Sequence, residues 1–449
     1  MSGVRHYLLP GAWGYIYFSY FNSPAARLLP KGLGKDPAGG PRLRHILMAD
    51  SLFSLVKAAP EDPILGVGQQ FKADTRPQKV NLSVGMYQTE EGKIPVLKVV
   101  REAETRLFNS EIPHAYGPIS GNPALPAFIQ ELLFGKDSEV IRSKRACTVQ
   151  SLGGTGALKL AADLLHVVVG KTKAATSVPT WGNHNTIFSQ AGYELAHYQY
   201  YDKAQGAIPF EHMLDDLRAL DTGTVVILHA CCHNPTGLDF SAEQWGEVLK
   251  VVIDRGLVPV LDIAYQGFNQ GLDEDAAAIR LFAKAGISFL VSSSFSKNFS
   301  LYGERIGGLT VVTQSEEEAK RILSQVKQMA RANYSNPPNY GGNLVAIVAG
   351  DPALRAEWKE EVTAMRKRIR EMRFALVKAM EEAGTPRDCR FVTRQNGMFS
   401  FTGFTPDQIE RLKKEYAIYA VGNGRICIAG INNHNVEYVA KAFTAVQKN

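Results

Sequence analysis

The run Phe289-Leu290-Val291-Ser292-Ser293-Ser294-Phe295-Ser296-Lys297-Asn298-Phe299-Ser300-Leu301-Tyr302-Gly303-Glu304-Arg305-Ile306-Gly307 decides how the rest of the chain is read. It begins as a short apolar stretch of the kind that forms a strand buried on both faces. It then sets one lysine among small hydroxyl residues, with an arginine eight positions on. Hydroxyls and a guanidinium can hold a phosphate, and a lysine amine can attack an aldehyde to form a Schiff base. The pattern therefore suits a ligand that carries both groups. From this run alone, a solvated lysine in a serine-rich loop is the plain alternative.

Working outward, Val225-Val226-Ile227-Leu228-His229 and Val258-Pro259-Val260-Leu261-Asp262-Ile263 also read as doubly buried strands, and from 95 onward such runs alternate with helical patterns. That alternation predicts an α/β fold with a mainly parallel central sheet covered by helices. Sites in such sheets lie at the carboxyl ends of strands, where Asp262 and the Ser292–Lys297 run both fall. A short helix is expected over 49–60 (Leu52, Leu55, Val56). An irregular segment over 61–94 ends in the turn Leu82-Ser83-Val84-Gly85. Residues 161–169 read as a core helix, too short to span a bilayer, and 354–384 as a long helix with a solvated charged face that links two domains. Strand-like runs at 397–401 and 425–429, followed by helices, close the chain; internal repeats and low-complexity tracts are not seen.

A chain of 449 residues holds roughly two to three domains' worth of core. Its five cysteines form no CxxC pair and no metal-binding spacing with histidine, which fits buried free thiols in a reducing compartment. The net charge of +6 is concentrated in residues 1–47, which carry six basic residues against Asp36 alone. The remainder is close to neutral, so nucleic-acid binding is not indicated. A basic, acid-poor extension of this kind suits organelle targeting, most simply to the mitochondrion. Met48-Ala49-Asp50 offers a start for a cytoplasmic form.

Further motifs surround the lysine. Ser151-Leu152-Gly153-Gly154-Thr155-Gly156 is a glycine-rich turn entering a helix, whose free amides and positive dipole end suit phosphate; by itself it would also suit a dinucleotide. His233-Asn234-Pro235-Thr236-Gly237, Leu261-Asp262-Ile263-Ala264-Tyr265, Pro179-Thr180-Trp181-Gly182-Asn183-His184, His114-Ala115-Tyr116-Gly117-Pro118, Ser335-Asn336-Pro337-Pro338 and Gly424-Arg425-Ile426 complete the set. Together, and in this order from about Met48 to the end, they resemble the class I aminotransferases, specifically the aspartate aminotransferase branch.

The resemblance implies the fold-type I architecture of pyridoxal-phosphate-dependent transferases. It also implies a homodimer with shared active sites and pyridoxal 5′-phosphate held on Lys297. Gly154, Thr155, Ser294 and Arg305 would hold the phosphate, with Tyr116 reaching the phosphate of the partner subunit's site. Gly153 stands where the family usually has serine. Asp262 would pair with the ring nitrogen, with His184 and His229 behind it. Tyr265 and Asn234 would bond the ring's phenolic oxygen, and Trp181 would stack on its face. Arg425 would bind the substrate α-carboxylate beside Gly85, Trp181 and Asn234, and Arg331 a side-chain carboxylate across the dimer interface. The catalytic set is thus Lys297, Asp262, Tyr265 and Trp181. The Asn234–Pro235 bond is a candidate for the cis form.

The implied domains are the extension 1–47, an arm and first part of a small domain at 48–94, a large cofactor-binding domain at 95–364, and the rest of the small domain at 365–449. The implied reaction is reversible ping-pong transfer of the amino group from L-aspartate to 2-oxoglutarate, giving oxaloacetate and L-glutamate. Met86, Ile94 and Ala115 are apolar at expected pocket-rim positions, which keeps open a broader enzyme that also takes aromatic amino acids. A kynurenine-type transaminase, a β-lyase, a catalytically silent binding protein and a nicotinamide dehydrogenase fit less well, because none accounts for Lys297 together with both arginines.

Overall fold

The computed structural model of the chain describes residues 51, 53–59 and 65–448. The extension 1–47, with its targeting reading, and the alternative start at Met48 lie outside the described residues. The helix expected over 49–60 is absent from its described part: 53–55 form a turn and 56–59 no regular structure.

Seven strands form the central sheet: β2 (Ala146–Leu152), β3 (Lys173–Val178), β4 (Glu194–Gln199), β5 (Val225–His229), β6 (Val258–Ile263), β7 (Phe289–Ser294) and β8 (Ile306–Val312), in the order β2-β8-β7-β6-β5-β3-β4. The pairs from β7 through β6, β5 and β3 to β4 are parallel, whereas β8 runs antiparallel to both β7 and β2. The period-2 alternation of a strand explains how the sheet is buried on both sides. In β5, Val225 and Ile227 join one apolar cluster while Val226 and Leu228 join the other; in β6, Val260 opposes Leu261 and Ile263 in the same way. Helix Gly153–Asp163 covers one face with Ala157, Leu158 and Ala161. Helix Ala242–Asp254 lies against the other, started by a Ser241–Gln244 capping box worth about 1 kcal/mol.

The N- and C-terminal segments meet away from this sheet. Strand β1 (Val80–Asn81) pairs parallel with β10 (Ile418–Tyr419), and β9 (Phe399–Phe401) pairs antiparallel with β11 (Arg425–Cys427). The region 61–94 is less irregular than its sequence suggests, because Leu65–Ala73 forms a helix. Tertiary contacts hold it: Phe71 packs edge-on against Tyr419, and Asp74 accepts from the Tyr419 hydroxyl at 2.7 Å. Helix Pro352–Glu382 runs unbroken through residue 365, with Asp351 capping its start and eleven side chains buried along it. The expected core helix at 161–169 is only half buried. It loosens into a π turn at Leu164–Val168, where Leu164 and Leu165 point inward and Val167, Val168 and Val169 are exposed. Among the described residues, no helix is long and apolar enough to cross a membrane.

Candidate active site

Strand direction gathers the site. Parallel strands β5, β6 and β7 deliver His229, Asp262 and Ser294 to one sheet edge. Because β8 runs the other way, its first residue pairs with the last of β2, and Ser294 pairs with Gly307. Arg305, just before β8, therefore reaches the same edge. The glycine turn at the end of β2 opens helix Gly153–Asp163 beside it. Eleven of the thirteen expected residues line one pocket of about 240 Å³ there; Tyr116 and Arg331 do not. Tyr116 is 93 % exposed, and Arg331 is exposed with its guanidinium on the Ser335 hydroxyl at 2.5 Å.

The phosphate end combines the backbone at a helix start with the side chains of Thr155, Ser294 and Arg305. Helix Gly153–Asp163 has no side-chain cap, so its first amides remain available. Gly153 has φ +66°, and a Cβ there would lie 2.7 Å from Arg305 Nη2. A serine at this position would strain the backbone and require the Arg305 guanidinium to shift, so the glycine suits the arginine position seen here. Arg305 is itself left-handed (φ 55°) and is anchored through its donation to the Tyr302 carbonyl at 2.9 Å.

Asp262 is buried and is held from behind. His184 Nε2 lies 3.2 Å from Oδ2, while His184 Nδ1 meets the Thr180 hydroxyl at 2.9 Å. That pair of contacts suits the tautomer in which Nε2–H donates to the carboxylate and Nδ1 accepts from threonine. Burial pushes the Asp262 carboxyl up, but the bond from His184 and the nearby His229 and Ser292 outweigh it and hold it below the ordinary value. Its other oxygen, Oδ1, is buried with no partner. His229 lies 4.9 Å from His184 and 4.1 Å from His233, ring to ring, and burial drives both His229 and His233 well below the usual histidine range. His229 and His233 are therefore neutral, whereas Asp262 is ionised.

Lys297 is half-buried, with its amine 5.0 Å from the Tyr265 ring centroid. Desolvation lowers it to about 8; Asp262 pulls the other way, and Arg305 and Arg425 add to the lowering. At neutral pH roughly a tenth of the amine is then uncharged, against well under a thousandth for an ordinary lysine. Only the uncharged amine attacks an aldehyde. In cofactor-free protein, the rate of reconstitution by pyridoxal phosphate should rise about tenfold per pH unit below 8 and level off above it. A stopped-flow absorbance series across pH 6–10 measures this; a rise continuing to pH 10 would contradict the lowered value.

Arg425 is 4 % exposed and has no carboxylate partner among the described residues. It donates to the Ser83 carbonyl at 2.7 Å and to Asn234 Oδ1 at 3.2 Å, its Cζ sits 4.2 Å above the Phe399 ring, and its Nε is buried without a partner. A buried guanidinium without an anionic partner is suited to hold a carboxylate. Asn234 precedes Pro235 through a cis bond, as expected, and by accepting from Arg425 it leaves its amide N–H groups for the pocket. Burial pushes the Tyr265 phenol up, so it remains a donor. Trp181 stands edge-on to His184 at 5.3 Å and walls the pocket.

Four lining residues, Ala264, Ser296, Tyr302 and Phe399, escaped the sequence reading. Phe399 presses on Gly85, where a Cβ would meet its ring at 2.6 Å, so glycine is required there. Tyr302 accepts from the Tyr87 amide at 2.9 Å, tying the Gly85 segment to the lysine loop. Ser296 lies beside Lys297 in the lining. Met86, Ile94 and Ala115, expected at the rim, do not line this pocket in the single chain.

The unpartnered Oδ1, the uncapped helix start with Arg305, and the low-pKa lysine fit one ligand, a phosphorylated pyridine aldehyde. The family profile "Aminotransferase class I and II" matches residues 77–443. The chain belongs to that family. It is similar to an aspartate aminotransferase of Pseudomonas aeruginosa (52 % identical over 88 % of this chain and 100 % of that one). It is also similar to an aromatic-amino-acid aminotransferase of Escherichia coli (47 %, 88 % and 100 %). A solved aromatic-amino-acid aminotransferase from Burkholderia pseudomallei, covalently bound to pyridoxal phosphate, superposes with a TM-score of 0.87 at 52 % identity, covering 89 % of this chain and 100 % of that one. Relatives include a mitochondrial enzyme of Dictyostelium discoideum alongside the bacterial ones. This aminotransferase therefore has the fold-type I architecture and uses pyridoxal 5′-phosphate.

Proposed function

We propose that this aminotransferase transfers the amino group of L-aspartate to 2-oxoglutarate, giving oxaloacetate and L-glutamate. The observation that carries the proposal is Arg425: a buried guanidinium with no carboxylate partner among the described residues, in the same pocket as a lysine of lowered pKa. The names of the relatives in Pseudomonas aeruginosa and other bacteria support aspartate as the donor.

When bound, pyridoxal phosphate supplies an aldehyde that takes up amines and a ring that accepts electrons from a substrate Cα. The chain does the rest. Gly154, Thr155, Ser294 and Arg305 hold the phosphate. Asp262, ionised and oriented by His184, keeps a proton on the ring nitrogen. Tyr265 and Asn234 donate to the phenolic oxygen, and Trp181 walls one face. Arg425 would fix the α-carboxylate so that Cα faces Lys297, whose uncharged amine would take up the proton from Cα and deliver it to C4′, the carbon that the cofactor's aldehyde supplies.

The outward-facing Tyr116 and Arg331 supply the remaining phosphate and carboxylate contacts to the partner's pocket in a homodimer. The domain division at 94/95 and 364/365 is part of the same proposal, with helix Pro352–Glu382 as the connecting rod. Mitochondrial import by residues 1–47 is likewise proposed, on their basic, acid-poor composition.

A second reading, a broad aspartate/aromatic enzyme, is favoured by the aromatic aminotransferases among the relatives. Arg331→Ala separates the two chemistries. Loss of one partner of a desolvated charge pair costs about 2–5 kcal/mol, so kcat/KM for aspartate should fall roughly 30- to 3000-fold. Any activity on tyrosine should change less than about threefold. Equal losses on both substrates, or none, would remove Arg331 from the role. In the unaltered enzyme, single-turnover absorbance with aspartate and with tyrosine shows whether specificity is strict or broad.

A further inference from the structure

Separate from the catalytic pocket, with no lining residue in common, a groove of about 630 Å³ runs between the loop Phe268–Gln270, helix Pro352–Glu382 and the segment Thr393–Gly397. Arg366, Lys367, Arg370 and Arg373 line it, and among the described residues no carboxylate does. The helix spacing puts these cations on neighbouring turns: Arg366 and Arg370 are four apart, and Lys367, Arg370 and Arg373 three apart. Like charges so placed repel on a helix.

Two of the four have structural work. Arg373 is buried and donates to the carbonyls of Val392, Gly397 and Phe399, and Arg366 donates to the Gly267 carbonyl at 2.9 Å. Lys367 and Arg370 are exposed, and among the described residues neither has an ion-pair partner within 4.0 Å. The groove's remaining polar side chains are the uncharged Asn269, Gln270, Thr393, Gln395 and Asn396. Two buried acids hold the residues around the groove without lining it: Asp239 accepts from the amides of Cys232 and His233 and from the Asn269 and Asn396 side chains, and Asp275 accepts from the amides of Gly267, Asn269, Gln270 and Gly271.

We infer that this groove binds a small anion carrying at least two negative charges, with phosphate or carboxylate groups bridging Lys367 and Arg370. A concave, acid-free surface with two uncommitted cations offers a multivalent anion paired charge-assisted bonds, which a monovalent salt ion cannot match. The inference is independent of the substrate reading, since it concerns binding outside the catalytic pocket.

The test is calorimetric titration of the full-length holoenzyme, whose phosphate site is already filled, at fixed ionic strength. Inorganic pyrophosphate and citrate serve as separate probes of the phosphate and carboxylate forms. The expected result is saturable binding of at least one probe that weakens tenfold or more in the double variant Lys367→Gln/Arg370→Gln. Because both positions are exposed, the variant's unfolding temperature and transaminase activity should match the parent. Saturable binding of neither probe overturns the inference, as does binding of equal strength in the double variant.

Discussion

Lys297→Ala is expected to lower turnover by about 10⁴-fold or more, because one side chain serves both as the amine that holds the cofactor and as the base that moves the substrate proton. The geometry leaves no substitute. The other groups at the pocket centre are an ionised carboxylate, a phenol whose pKa is pushed up, and a neutral histidine driven far below its usual range. The side chain is half-buried and shortening it removes no hydrogen bond of the fold, so the variant should keep its secondary structure by circular dichroism. Transamination of aspartate within a hundredfold of the parent would show that another residue carries the proton.

The second large effect is at Asp262. Replacement by asparagine keeps the shape and removes the charge that stabilises a protonated ring nitrogen. Stripping one partner from a buried pair costs about 3–5 kcal/mol, which corresponds to roughly 10²- to 10⁴-fold in kcat at saturating cofactor. The His184 contact survives in altered form, so a merely structural role for Asp262 would show in the unfolding temperature and leave kcat nearly unchanged. A kcat within tenfold of the parent would assign Asp262 to structure. Its lowered pKa keeps the group ionised across neutral pH, so the parent should show no activity loss from Asp262 until well into the acid range.

Much of this site could be read from sequence because strand ends carry it. The apolar runs ending in Asp262 and in the Ser292–Lys297 segment are buried on both faces, and helices that cover both faces force their ends to one edge. Arg305 was recognised by motif, but the reason it reaches that edge is the reversed direction of β8, which no periodicity reveals. Phe399 was invisible for another reason. In an alternating apolar run it looks like core, and its contact with Gly85 joins residues 314 positions apart. Helix Leu65–Ala73 has two glycines and little pattern, and depends on packing against Tyr419. Val167 to Val169 mislead in the opposite sense, since an apolar run reads as buried whether or not anything covers it.

The central claim is that Lys297 holds the cofactor within a pocket built for a substrate carboxylate. It is tested most directly by borohydride reduction of the holoenzyme, proteolysis and mass spectrometry of the peptide containing residues 289–305, with and without prior addition of L-aspartate. The account predicts a reduced phosphopyridoxyl group on Lys297 alone, and its loss when aspartate has first released the lysine. Labelling of another lysine, or labelling of Lys297 that aspartate leaves untouched, would contradict it.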